Sequence, residues 1–462
     1  MKLLPLLGRE PEMLRLEEAW SGTKAGVPQL AVFWGRRRVG KTFLLNHFVQ
    51  GKRAVFFAAT QQAESVELGR FLDTLRRDLG AQAADLTGGA VASWEAGLRL
   101  VAALAVDRPL VVVIDEAPYL SRSTPGFASI VQAVWDRVSP STKLLLILTG
   151  SAVGTVEAML GAGGALRGRP TLAVRLDPLD LWASRAFLPR LEPVSFFEAY
   201  AACGGYALHL RAWDEQRSTH ENLLRLAASP GGLLLEDAAG MLAEELSESV
   251  GYARILAAIG RGRTRYSDIA GEAGQRVEHP LAVLVRGGFV RKAVPVGAPK
   301  AAHPLYELGD PYLSYWFRVL YSDLAFIEGG QGAAVLARTL DRWRQHLGWS
   351  FEELARAHAR RLVARSVLPD DLVIGRWWAV RGDPVEVDVL GLRGSRSYLI
   401  GEARWQSSPL GARDLQALQN RIRGLPRLVE EPVFALWGRA GVAEAAKASG
   451  ALGFDPRTML EG

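Results

Sequence analysis

Eight consecutive residues, Gly35, Arg36, Arg37, Arg38, Val39, Gly40, Lys41 and Thr42, have the spacing G-x-x-x-x-G-K-T. In that pattern the glycines let the backbone wrap around phosphate, the lysine bridges the β- and γ-phosphates and the threonine hydroxyl ligates magnesium. The implied chemistry is the binding of a nucleoside triphosphate, ATP with Mg2+. Arg36, Arg37 and Arg38 either touch that nucleotide or a partner, or simply make the loop electropositive. A second pair, Asp115 and Glu116, closes the apolar run PLVVVIDE. Asp115 is suited to hold the magnesium shell, directly or through water, and Glu116 to orient and deprotonate an attacking water. Any apolar strand can end in two acids; it is the loop upstream that gives this pair a reaction to serve.

Two further groups belong with these. KLLLILTGS ends in Thr149 and Ser151; Thr149 is expected in the water network, with Ser151 as its alternative, and strand capping is the other role open to both. In LRGRPTLAVRLDPL, Arg167 and Arg169 precede a strand-like stretch. Arg169 is a candidate for stabilising charge on the transferred phosphoryl group, within this chain or in a neighbouring subunit, with a surface salt bridge as the competing role.

The elements that must position these residues follow from apolar patterning. LAVFWG reads as a strand running into Gly35, and FLLNHFVQ reads as the helix after the loop, whose first turn adds unpaired N–H groups and a favourable dipole. Pro11 to Trp20 reads as an amphipathic helix, Ala54 to Thr60 as a second strand, residues 65–104 as largely helical, and the two runs ending at Glu116 and Ser151 as further strands. Alternating strands and helices predict a parallel α/β sheet with the chemistry at its carboxyl edge.

A chain of 462 residues is too long for one ordinary core and implies two to four domains. Of 55 basic residues eight are Lys and 47 are Arg, and the net charge of +6 is compatible with nucleic acid without requiring it. The single Cys203 excludes a disulfide framework and a thiolate zinc module. MKLLPLLGREPE develops no signal-peptide core, and the longest apolar strings are too short to span a bilayer, so a cytoplasmic protein without a membrane partner is expected.

Residues 251–310 offer three helical stretches followed by FVRKAVPV and PLYELGD, the order of a winged helix-turn-helix, with Arg286, Arg291 and Lys292 placed to meet phosphates. The aromatic stretch YLSYWFRVLYSDL reads as interdomain core rather than a base-stacking surface. From residue 346 onward a helix carrying Glu352 and Glu353 precedes two strand candidates bearing Asp388 and Glu402. Carboxylates on adjacent strands can share a divalent metal, and a salt-bridge network of Glu386, Asp388, Glu402 and Arg404 is the other reading.

GREPEMLRLEEAW, GRRRVGKT, IDEAPYL, LTGS, GRPTLAVRLDPL and CGGYALHLRAW together resemble a prokaryotic, mainly archaeal family that joins an AAA-like or STAND-like P-loop ATPase to a C-terminal nuclease-like domain. The resemblance implies a P-loop NTPase parallel sheet, a helical lid and a C-terminal restriction-endonuclease-like α/β domain; with the residue reading of the middle region the expected architecture is α/β, with the sheet over residues 1–180, the lid over 181–250, the winged helix-turn-helix over 251–310, a helical connector over 311–345 and the nuclease-like domain over 346–462. In that last domain Asp388 and Glu402-Ala403-Arg404 stand at the positions of the acids and terminal Lys, and Glu353 supplies the helical acid with Glu352 as its alternative. Arg404 departs from the pattern, because arginine cannot readily act as a neutral base. The expected function is ATP hydrolysis driving conformational change; the alternatives are a nucleotide-gated regulator with little turnover and a metal-dependent nuclease with a second divalent ion. The partners implied are duplex DNA or a protein client, and a homo-oligomer where a neighbouring subunit supplies the arginine.

Overall fold

The computed structural model describes residues 4–80, 91–138, 142–245, 249–274, 276–298, 303–379, 385–421, 425 and 427–461. Parts of four expected segments lie outside these residues: 81–90 of the helical stretch, 246–248 of the helical lid, 275 and 299–302 of the winged-helix segment, and 380–384 within the first C-terminal strand candidate, GRWWAVRGDPVEVDVLGL. The chain divides into two compact units, residues 1–179 and 180–462.

The first unit alternates strands and helices: α1 (Glu10–Lys24), β1 (Gln29–Trp34), α2 (Lys41–Phe48), β2 (Ala54–Ala58), α3 (Glu64–Leu79), α4 (Trp94–Leu104), β3 (Leu110–Asp115), α5 (Ala117–Ser123), α6 (Phe127–Trp135), β4 (Leu144–Gly150), α7 (Val153–Leu160) and β5 (Leu172–Arg175). The strands form one parallel sheet in the order β2-β3-β4-β1-β5. Every residue of β3 and β4 is buried, as expected of inner parallel strands covered on both faces. On one face an aromatic chain fixes the helices: Phe57 to Phe71 at 5.3 Å, Phe71 to Trp94 at 5.2 Å and Trp94 to Phe127 at 5.4 Å between ring centres. Ser93 caps α4 by accepting from the Ala96 N–H, which sets where Trp94 enters that core.

The second unit begins with helices α8 (Leu181–Arg185), α9 (Pro193–Cys203), α10 (Ala207–Ala212), α11 (Thr219–Ala227) and α12 (Leu233–Glu245). Three more, α13 (Ser249–Gly260), α14 (Tyr266–Ala273) and α15 (Glu278–Arg286), lead into an antiparallel ribbon of β6 (Val290–Ala293) and β7 (Leu305–Leu308). The aromatic stretch forms α16 (Pro311–Tyr315) and a π-helical turn over Trp316–Leu320, with Tyr312, Tyr315, Trp316 and Phe317 buried. It is core, as its spacing implied.

After α17 (Leu324–Glu328) and α18 (Gly332–Arg338) comes the long α19 (Leu340–Ala364). Its buried Leu347, Phe351, Leu354, Ala355, His358, Ala359 and Leu362 recur at three- and four-residue spacing and face the sheet. That sheet has the order β12-β11-β10-β9-β8, from β8 (Leu372–Trp378), β9 (Glu386–Arg393), β10 (Arg396–Arg404), β11 (Leu428–Gly438) and β12 (Leu452–Phe454). Helix α20 (Ala412–Asn420) connects β10 to the parallel β11, and α21 (Glu444–Ala448) and α22 (Pro456–Glu461) flank β12. Strand β8 was not anticipated as separate from β9: GRWWAVRGDPVEVDVLGL reads as one strand candidate, whereas its first residues belong to β8, which pairs antiparallel with β9.

Candidate active site

Strand β1 delivers the chain into Gly35, where a side chain has no room: a Cβ there would lie 2.0 Å from the Leu176 carbonyl oxygen. Gly40, at φ 97°, turns the loop into α2 through a conformation that L-residues disfavour. Helix α2 opens on Lys41, so its first-turn N–H groups end at the loop. The Lys41 ammonium is buried and donates to the Gly35 and Arg36 carbonyls at 2.7 and 3.1 Å. Arg37 donates to the Tyr119 hydroxyl.

The neighbouring strand ends converge on that loop. Thr42 Oγ1 donates to Asp115 Oδ2 at 2.7 Å, and Thr149 Oγ1 donates to Asp115 Oδ1 at 2.6 Å. Glu116, the next residue, has φ 55° and ψ 42°, the left-handed region, which costs a glutamate on the order of 1–3 kcal/mol. Its Oε2 accepts from both the backbone N–H and the hydroxyl of Ser151, at 3.0 and 2.9 Å. Thr149 therefore holds the aspartate, and Ser151 holds the glutamate. A hydroxyl and a carboxylate oxygen 2.7 Å apart are hard donors of the kind magnesium takes, so Thr42 and Asp115 fit that ion. Arg169 is engaged elsewhere, with Nε and Nη2 each 2.8 Å from the two Asp136 carboxylate oxygens.

Arg9 has no precedent in the motif reading. Its Nη2 donates to the carbonyls of Val39, inside the phosphate loop, and Asp177, at 2.9 and 2.6 Å, while Nη1 pairs with Glu12 at 2.9 Å. Arg9→Ala removes the donor from two carbonyls at once, one of them next to Gly40. Leaving a buried acceptor unsatisfied costs about 1–3 kcal/mol, so the variant is expected to melt earlier and to bind nucleotide more weakly. Thermal melting with and without nucleotide checks this; an unchanged melting temperature in both states contradicts it.

With this geometry in view, residues 6–211 match the family described as an ATPase domain predominantly from Archaea. The chain carries a P-loop ATPase domain. Residues 316–418 match a second family, described as archaeal and bacterial proteins of unknown function. An uncharacterized protein of Methanocaldococcus jannaschii is 24% identical over 436 residues, covering 91% of this chain and 92% of that one. The Walker-type ATPase of Pyrococcus abyssi aligns in structure with a TM-score of 0.50 and 23% identity over 68% of this chain and 96% of its own, a likeness of fold. The expected kinship thus holds for an archaeal-type ATPase domain followed by an uncharacterised domain, and the C-terminal match carries no nuclease description.

The C-terminal acids are placed differently from the expectation. Glu353 pairs with Arg291, Arg356 and Arg360 at 2.7, 3.0 and 3.7 Å. Burial works to raise its pKa, but Arg291 and Arg356 outweigh burial and hold it at about 2. Glu352 is the acid that feels Asp388: burial first, then the Asp388 charge, push it up to about 8. Asp388 Oδ2 accepts from the Ala403 N–H at 2.9 Å, and burial raises its carboxyl to about 6. Glu402 is clamped by Arg421, at 2.5 and 3.3 Å, and also pairs with Arg404. Arg421 was not anticipated, since it follows Glu402 by 19 residues and reaches it only because α20 folds back. Among the described residues no group of three or more His, Cys, Asp or Glu is arranged to hold a metal ion, and of the expected carboxylates Glu353, Asp388 and Glu402 only Asp388 has no ion pair with an arginine among the described residues.

A glutamate whose folded pKa exceeds its unfolded value binds its proton more tightly when folded. Stability is therefore lost as pH climbs from the ordinary range, about 4.3, towards 8. Glu352→Gln, permanently neutral, is expected to raise the melting temperature at about pH 9 and to change it little at about pH 4. An equal shift at both would show that the carboxyl charge is not the cause.

Proposed function

We propose that the chain binds ATP with magnesium and hydrolyses it, and that turnover drives a conformational change coupled to duplex DNA or a protein client. The observation carrying this reading is the hydrogen-bonded series Thr42, Asp115 and Thr149 beside Lys41, with Glu116 poised one residue further on. Lys41 binds the phosphate oxygens in exchange for the loop carbonyls of Gly35 and Arg36. Thr42 and Asp115 hold magnesium, which supplies charge neutralisation at the phosphates. Thr149 keeps the Asp115 carboxylate oriented. Glu116, on leaving Ser151, accepts the proton of the attacking water. Arg169 serves as the stabilising cation only by exchanging Asp136 for the phosphoryl group, in this chain or in a second copy.

A second reading, a nucleotide-gated regulator with little intrinsic turnover, is favoured by one feature: the Glu116 carboxylate is already doubly bonded by Ser151. In either reading α13 to α15 and the β6-β7 ribbon support a winged helix, within which Arg291 is committed to Glu307 and Glu353. Phosphate contacts then fall to the exposed Arg286 and Lys292. The succession α19, β8, β9, β10, α20, β11 supports a restriction-endonuclease-like domain, and the arginine clamp on Glu402 argues for one that does not cleave.

Magnesium-dependent phosphate release by the full chain, measured with and without duplex DNA while DNA length is followed, tests this. Release with intact DNA is expected. No release under either condition would defeat the ATPase reading, and metal-dependent cleavage that persists in Lys41→Ala would defeat the reading of the C-terminal cluster.

A further inference from the structure

Successive side chains of β6 lie on opposite faces of the ribbon, so Arg291 and Lys292 point apart. Lys292 is exposed, as is Arg286 at the end of α15. Arg291 turns the other way and pairs with Glu353 of α19 at 2.7 Å, while Glu307, its partner in the β6-β7 register, pairs with Arg376 of β8 at 3.0 Å. The two strands thus reach the C-terminal domain with opposite charges, and Arg291 links the two pairs by bonding Glu307 at 2.8 Å.

Just beyond β6 the chain turns over residues 295–298, closed by the Ala298 N–H on the Pro295 carbonyl at 3.0 Å, with Gly297 at φ 74°. This turn is seated on the C-terminal sheet. The Val296 N–H donates to the Arg376 carbonyl at 2.9 Å, and the Val296 side chain packs on the core that holds Leu390 and Leu392. Glycines shape the seat on both sides: a Cβ on Gly375 would lie 2.8 Å from the Val296 Cβ, and one on Gly297 would lie 2.5 Å from Leu392 Cδ1.

A two-stranded ribbon with four residues in each strand is barely stable in water by itself, so this one takes its order from what it packs on. Residues held against β8 cannot lie along a duplex at the same time. What holds them is of a kind that yields: a backbone hydrogen bond, an apolar side chain, and ion pairs whose Arg291 and Glu353 side chains remain 41% and 32% exposed, where such pairs contribute little apiece. Duplex DNA presents a row of phosphates, a denser negative charge than the single carboxylate of Glu353, and the exposed Arg286 and Lys292 stand beside Arg291 to draw it in.

We propose that the ribbon is a latched wing: in the free chain the C-terminal sheet holds it, and on binding duplex DNA it leaves β8 as Arg291 exchanges Glu353 for a phosphate. This rests on the DNA-binding reading above and adds that the C-terminal sheet restrains that binding.

The test uses the full chain without nucleotide, so no arm of it depends on ATP turnover. Gly375→Ala is the decisive variant, because the three atoms nearest the added Cβ all belong to Val296 and no charge changes. Overpacking that contact is expected to raise affinity for a short duplex at least about fivefold, read by fluorescence anisotropy over a salt series. Arg376→Gln gives up the Glu307 pair together with one positive charge, is expected to act in the same direction, and carries the test if Gly375→Ala fails to fold. Arg291→Gln is expected to lower the slope of log affinity against log salt by about one phosphate contact. Spin labels on Val294→Cys and Val373→Cys, both exposed in the parent, attach selectively because Cys203 is buried. One distance is expected in the free chain, and a longer one on adding duplex or in Gly375→Ala. Absence of duplex binding by all of these chains at low salt overturns the DNA reading and the latch with it. Duplex binding with the label distance unchanged, affinity unchanged in Gly375→Ala and Arg376→Gln, or a salt slope unchanged in Arg291→Gln overturns the latch alone. A ribbon that opens in both variants with no gain in duplex affinity also overturns it, and points to a protein as what the ribbon meets.

Discussion

Glu116→Gln is expected to lower magnesium-dependent phosphate release by about 100- to 10,000-fold, the range a positioned general base contributes, while leaving ATP bound. The amide oxygen of glutamine can still accept from the Ser151 N–H and hydroxyl, the two donors that hold Glu116 now. The left-handed backbone at this position strains glutamine as it strains glutamate, so the fold is not at stake. What changes is the ability to take a proton. The strain itself points the same way: a glycine would sit at φ 55° without cost, yet a carboxylate is held there, at the end of a strand that aims it beside Asp115. Steady-state phosphate release and equilibrium ATP binding, measured on the same protein, check the prediction. A rate close to wild type would remove Glu116 from the mechanism and leave its strained backbone without a purpose.

Lys41→Ala is expected to weaken ATP binding by about 30- to 4,000-fold, corresponding to the roughly 2–5 kcal/mol lost when one partner of a buried, hydrogen-bonded charge pair is truncated. Two effects add. The phosphates lose their cation, and the carbonyls of Gly35 and Arg36, 2.7 and 3.1 Å from the ammonium, lose the donor that shapes the loop. The second effect is visible without nucleotide, as an earlier melting of the variant. Arg9→Ala acts on the far side of the same loop through Val39, and is expected to be the milder change because it leaves the phosphates their lysine. An affinity for ATP that survives Lys41→Ala unchanged would place the nucleotide elsewhere.

The parts of this site that were legible in the sequence are the parts carried by contiguous residues. Lys41 and Thr42 sit in one octapeptide, and Asp115 ends an unbroken apolar run that can be little else than a buried strand. The contacts between those pieces were not legible. Ser151 reaches Glu116 because β3 and β4 are neighbours in register, Ile114 beside Leu148, and that adjacency is a property of the sheet rather than of either strand. The motif reading accordingly gave Thr149 the water and left Ser151 as the alternative, whereas each hydroxyl holds a different acid. Arg9 was hidden more deeply, since its partner Asp177 is 168 residues away; only its place in the GRE run at the head of α1 could have drawn notice.

The C-terminal acids show the same limit on a finer scale. Glu352 and Glu353 are adjacent on α19 and differ by about 100° around the helix. Phe351, Leu354 and Ala355 fix the buried stripe, but which of the two flanking glutamates meets β9 and which meets the ribbon bearing Arg291 depends on where those elements pack. Glu353 pairs with Arg291 and Arg356, and Glu352 is the one that feels the Asp388 charge. Strands β9 and β10, by contrast, could be read from their own alternation and turn.

The account rests on one ATP held with magnesium between the Lys41 loop and the Asp115 strand end. Equilibrium titration of the full-length Glu116→Gln chain with ATP, in the presence and absence of magnesium, tests it most directly, because binding is then observed without turnover. Magnesium-dependent binding that disappears when Lys41→Ala is added is the predicted result. Binding that ignores both magnesium and Lys41, or no binding at all, would contradict it.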